Sequence, residues 1–101
     1  MNAQAQKVQN AIDKYHKLYG AGIKRYLDKV DAASDPVTIT VNSAELAMLV
    51  KYVSNRIGEL HVEWFDATHD ELISEDDMAY NLAQIAQKEE QVMKLYNKLT
   101  K

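Results

Sequence analysis

An all-α fold is predicted by three observations. Three separate segments carry apolar residues at helical spacing, only one five-residue stretch alternates convincingly with a period of two, and one Pro with three Gly leaves few places to turn. The expected architecture is an elongated three-helix bundle or helical hairpin with one short extended segment at about 37–41. It forms a single domain over residues 1–101 and assembles as a dimer. At 101 residues one core is adequate but not generous. A composition of 47% hydrophobic and 27% charged residues separates the chain from disordered sequences.

The first helix is expected from about residue 3 to residue 31. Val8, Ile12, Tyr15, Tyr19, Ile23, Tyr26 and Val30 recur at spacings of three and four and draw one apolar stripe. Lys14, Lys17, Lys24 and Asp28 occupy the opposite side. A continuous helix of that length would span about 43 Å. Gly20 and Gly22 interrupt it, each weakening a helix interior by about 1 kcal/mol relative to Ala, so they mark a kink or a close backbone approach. Gly22 falls on the stripe and Gly20 does not. Asp35-Pro36 ends the helix, because the residue before Pro is pushed out of the α region and Pro cannot donate a hydrogen bond.

Val37-Thr38-Ile39-Thr40-Val41 has the alternation of a half-buried strand. No second strand is evident in the chain to pair with it. Val37, Ile39 and Val41 are therefore the expected oligomer interface, pairing with a symmetry mate or a bound protein.

The second helix is expected over about 43–65, with Asn42 as N-cap and Glu45 placed to answer it. Leu46, Leu49, Val50, Val53, Ile57, Leu60 and Trp64 form its core stripe. Gly58 leaves residues 60–64 readable as helix or as a second strand, and the helical period favours helix. The third helix is expected over about 75–99, capped by Ser74, with acids in its first turn where the helix dipole suits them. Met78, Leu82, Ile85, Val92, Tyr96 and Leu99 make its stripe, and Glu89 occupies the missing position. A carboxylate there must be paired, hydrogen-bonded, neutralised or exposed, so Glu89 is the expected buried polar residue, bonded to a tyrosine or placed where the bundle opens.

Charge is distributed unevenly. Residues 1–31 hold six bases and three acids, residues 32–80 two bases and ten acids, and residues 81–101 four bases and two acids, summing to a net −3. This pattern favours apposition of the ends with the middle, within or between chains. Glu59, Glu63, Asp66, Asp70, Glu71, Glu75, Asp76 and Asp77 follow one another with no Lys or Arg among them. If the second helix continues far enough, Glu59, Glu63, Asp66 and Asp70 lie on one side and form the spine of a partner-facing surface. Trp64 anchors the helix from the core side, and Phe65 adds an apolar contact at the rim.

Several function classes lose support. The absence of Cys removes disulfides, Cys-ligated zinc and thiol nucleophiles, and points to a reducing cytoplasm. No stretch approaches the roughly 20 apolar residues of a membrane helix, and the first residues lack a signal core, so neither membrane insertion nor export is expected. His61, Glu63, Asp66, His69 and Asp70 offer ligand chemistry without a metal-site spacing, so no metal or other cofactor is expected. No motif sets a base beside a hydroxyl, Ser43 and Ser74 read as capping residues, and little concave volume is expected for a substrate, so the chain is read as not an enzyme.

A strand with outward Thr38 and Thr40 followed by a helix resembles the first half of a ribbon–helix–helix unit over about residues 37–57, which implies dimeric DNA binding. The acidic middle, the negative net charge and the lack of base-reading side chains on that strand oppose it. A better basic and aromatic strip is Lys14, Lys17, Lys24, Arg25 and Lys29 with Tyr15, Tyr19 and Tyr26, although these tyrosines fall on the core stripe. The function expected is that of a small non-catalytic intracellular protein that binds a cationic surface on another protein and regulates or inhibits it. Small acidic helical inhibitors, many from phage and other mobile elements, have this general character. The alternative is a dimeric nucleic-acid-binding regulator.

Overall fold

The computed structural model describes residues 2–19 and 24–101. Among them are four helices and no strand: α1 (Ala3–Leu18), α2 (Lys24–Ala33), α3 (Ser43–Thr68) and α4 (Glu75–Leu99). Of the helix expected over 3–31, the described residues 3–18 and 24–33 are helical as α1 and α2, with Tyr19 as the C-cap of α1. Whether Gly20 and Gly22 kink the chain or admit a close approach, and where Ile23 packs, lie outside the described residues.

Local chemistry sets most boundaries. The Asn2 side chain accepts from the Ala5 amide at 2.7 Å. Asn42 and Glu45 form a full capping box, Asn42 accepting from the Glu45 amide at 2.9 Å and Glu45 from the Asn42 amide at 3.1 Å. Ser74 accepts from the Asp77 amide at 3.1 Å, and α4 runs over the expected residues. Each such bond satisfies an amide that the first helical turn leaves without a partner. The α3 helix includes Gly58 and residues 60–64 and continues three residues past the expected end. Thr68 closes it by donating from Oγ1 back to the Trp64 and Phe65 carbonyls, at 3.0 and 3.1 Å.

The alternating segment 37–41 is not a strand. Val37 and Ile39 are 84% and 70% exposed, and only Val41 is half-buried. Alternation marks a chain suited to a ladder, but a ladder needs a second edge, and none exists among the described residues.

The helices run up, down and up. The α3 and α4 helices form a hairpin joined by the turn at residues 69–74, and α4 packs against both α3 and α1. The turn holds the start of α1. Lys7 Nζ donates to the carbonyls of Asp70, Glu71 and Ile73 at 3.2, 3.2 and 2.9 Å, and Gln4 reaches those of Thr68 and Asp70. Farther along, α2 meets the second half of α4 through Lys94, whose ammonium bonds to Asp28 and Asp31 at 3.3 and 2.8 Å.

The core occupies one end of a body measuring 52 × 28 × 18 Å. Its buried side chains are Ala11, Leu60, Met78, Ala79, Leu82, Ala83 and Ile85. Ala11 lets α1 approach α4 closely against Met78, Ala79 and Leu82, with Val8, Ile12, Tyr15, Trp64, Ala67 and Ile73 packed around them. None of Arg25, of residues 28–57 or of residues 86–101 is buried.

Candidate functional site

The acidic run divides according to what each carboxylate meets. Arg56 stands three residues before it and reaches Glu59 at 3.0 Å and Glu63 at 3.3 Å, while Lys88 of α4 approaches Glu63 at 3.9 Å. Lys14 of α1 pairs with Glu75 and with Asp76, the latter at 2.7 Å. The apposition of basic ends with the acidic middle is thus met within one chain at Lys14 and Lys88. Hydrogen bonds donated by the Lys14 ammonium to Asp76 and Glu75 raise the Lys14 pKa, and Lys14, followed by Asn10, holds the Glu75 carboxyl below the usual carboxylate range.

The four-residue acidic spine does not form along one helix. Glu59, Glu63 and Asp66 lie on α3, but α3 ends at Thr68 and Asp70 falls in the turn. There Asp70 Oδ1 accepts from the Leu72 amide at 2.9 Å, a local bond that shapes the turn. Among the described residues Asp66, Asp70, Glu71 and Asp77 make no ion pair, and all lie at the end of the molecule that carries the core. Apolar groups accompany them. Phe65 is exposed and stacks on the His69 ring at 3.9 Å between centroids, and Leu72 is 97% exposed at the tip of the turn. Trp64 faces inward and meets Tyr15. One cation tempers the patch: Lys7 lies against the inner side of the turn, where its donors engage carbonyls rather than carboxylates.

Glu89 is half-buried, and among the described residues no polar or charged side chain is buried. It lines an open groove of about 520 Å3 together with Tyr15, Tyr19, His61, Trp64, Ala86, Glu90 and Met93. Burial first, and then the Glu89 charge, push the Tyr15 hydroxyl pKa up. The helical period places position 89 inward, but the bundle opens at that level, so the carboxylate stays partly hydrated rather than enclosed. The groove also corrects the expectation of little concave volume. Its described lining offers an imidazole and two carboxylates but no Ser, Thr, Lys or Cys.

Val37, Ile39 and Val41, expected as an oligomer interface, lie on the segment that joins α2 to α3. They are apart from the acidic end. Among the described residues no group of three or more His, Asp or Glu side chains is placed to hold a metal ion, and no helix is long and apolar enough to cross a membrane. His69 is instead engaged with the Phe65 carbonyl at 2.8 Å.

The architecture defines an all-α chain, an α3–α4 hairpin flanked by two shorter helices. The chain matches no protein-family model, no curated protein and no solved structure.

Proposed function

We propose that this chain is a small, non-catalytic, intracellular binding protein that engages a cationic surface on another protein and regulates or blocks it, acting as a dimer. One observation carries the reading. The last turn of α3 and the turn that follows it present Asp66, Asp70 and Glu71 with exposed Phe65 and Leu72, on the end of the molecule that carries the core. A rigid patch costs little ordering entropy on binding, and acids around apolar contacts favour encounter with a basic partner. Glu59 and Glu63 contribute less, because Arg56 and Lys88 already neutralise them.

Affinity capture from the source lysate, followed by titration of the captured protein at several salt concentrations, tests this reading. Reversal of Asp66 and Glu71 to Lys should slow association by about tenfold or more and flatten the salt dependence. Unchanged affinity and salt dependence would exclude the acidic surface. Capture of a nucleic acid, with affinity falling steeply as salt rises, would replace a protein partner with the nucleic-acid alternative.

A further inference from the structure

The accessible surface of the chain is 7342 Å2 and its mass 11.5 kDa. A folded monomer of that mass exposes roughly 5800 Å2 by the scaling of area with mass. The excess, about 1500 Å2, is nearly twice the roughly 800 Å2 that each partner buries in a standard interface. It concentrates where burial is missing, because among the residues whose burial is described every buried side chain lies in α1, the second half of α3 or the first half of α4. In the open half Met48 and Tyr52 are 54% and 62% exposed. Standing four residues apart, they form one strip along the outer face of α3.

Taking the dimer of the proposed function as its basis, we infer that a second copy of this chain seats on the Met48–Tyr52 strip, pairing the two α3 helices antiparallel about a two-fold axis. Three features select a second copy over the cationic partner. Residues 43–57 carry only Glu45, Lys51 and Arg56, so the strip is nearly neutral and gives a basic surface little attraction. The strip lies about 25 Å along α3 from Phe65, so the two surfaces do not compete. It is also self-complementary. An antiparallel pair centred between Met48 and Tyr52 sets each Met48 thioether against the other copy's Tyr52 ring, a favourable sulfur–aromatic contact. Glu45 and Arg56, eleven residues apart, share one edge of the helix, and the same symmetry brings each Glu45 near the other copy's Arg56. In this arrangement Val37 and Ile39 flank the helix pair instead of forming an intermolecular ladder.

Sedimentation equilibrium and cysteine crosslinking test the assignment together. At micromolar concentration the chain should sediment at twice 11.5 kDa and the variant Met48→Glu with Tyr52→Glu at 11.5 kDa. Because the natural sequence has no Cys, Tyr52→Cys introduces a single thiol. A short bis-maleimide should link it into covalent dimers while leaving Tyr80→Cys, exposed on the packed end, as monomer. If the double variant does not fold, the crosslinking pair decides. A wild-type mass of 11.5 kDa would overturn both this inference and the dimer on which it rests. A wild-type dimer that survives the double substitution, or that crosslinks no better through position 52 than through position 80, would overturn the strip alone. Neither outcome bears on the acidic surface, which is tested through Asp66 and Glu71.

Discussion

The ring of Tyr15 meets the indole of Trp64 edge-on, with centroids 5.4 Å apart and planes at 77°. This contact closes α1 onto α3 across the face of α4, where the two outer helices have little else in common. Edge-to-face aromatic pairs add about 0.5–1.5 kcal/mol beyond the area they bury. A double-mutant cycle on Tyr15→Leu and Trp64→Leu, read by urea unfolding, should return a coupling of about 1 kcal/mol. A coupling near zero would mean that α1 is held by its contacts with α4 and the turn, through Val8, Ala11, Ile12, Lys7 and Lys14, without help from this pair.

Core substitutions should divide the molecule in two. Leu82→Ala empties a fully buried position and should cost about 3–5 kcal/mol, enough to leave much of the protein unfolded. Val53→Ala, on the half-buried stripe of the open half and off the Met48–Tyr52 strip, should cost about 1 kcal/mol or less. A larger loss at Val53, growing with protein concentration, would mark burial by another protomer.

Gly58→Ala should stabilise the protein. Gly58 lies inside α3, its backbone is not in the left-handed region, and an added methyl group would meet nothing within 4 Å. Removing the excess backbone freedom of glycine there should contribute about 0.5–1 kcal/mol, visible as a higher urea midpoint at unchanged slope.

Acid should loosen the contacts of α1 and α2. The Glu75 carboxyl is lowered chiefly by its bond to Lys14, and Asp31 by its bond to Lys94. Depressed carboxylates bind protons more readily in the unfolded chain, so their contribution is complete above the ordinary carboxylate range and drains as pH falls through it, around pH 4. Lys14 and Lys94 are raised by the same partners, so the contribution is also lost as pH rises past the ordinary lysine range. Thermal unfolding followed from neutral pH to pH 3 should show a falling Tm, and Lys14→Met should lower the neutral value and flatten the slope. Added salt should weaken the effect, since these groups are exposed.

The features legible in the sequence are those decided within one helical turn. Asn42, Glu45 and Ser74 cap their helices because capping needs partners only three residues away, and the stripes of α3 and α4 point inward as their spacing requires. What stays illegible is non-local. Residues 37–41 alternate like a strand, yet a strand exists only if a second edge meets it. Glu89 lies on the inward stripe, but whether that stripe is covered depends on the three-dimensional arrangement of the bundle. The acidic run looked unpaired because Arg56 stands just before it while Lys14 and Lys88 come from other helices. Nothing local marked Lys7 as a clamp, since its partners are backbone carbonyls more than sixty residues away.

The central position of α4 sets the order in which the chain can become a protein. Among the described residues five of the seven buried side chains, Met78, Ala79, Leu82, Ala83 and Ile85, belong to α4, which leaves the ribosome after α1, α2 and α3. During synthesis α1 emerges well before α4, with its apolar stripe exposed and its docking face not yet made. The hairpin of α3 and α4 closes over a short turn and is the fast, local step, whereas α1 must recapture a turn some 66 residues downstream through Lys7. A nascent chain stalled before Met78 therefore carries amphipathic helices without a core. For this fold the interval of greatest exposure to chaperones and proteases lasts until α4 has emerged.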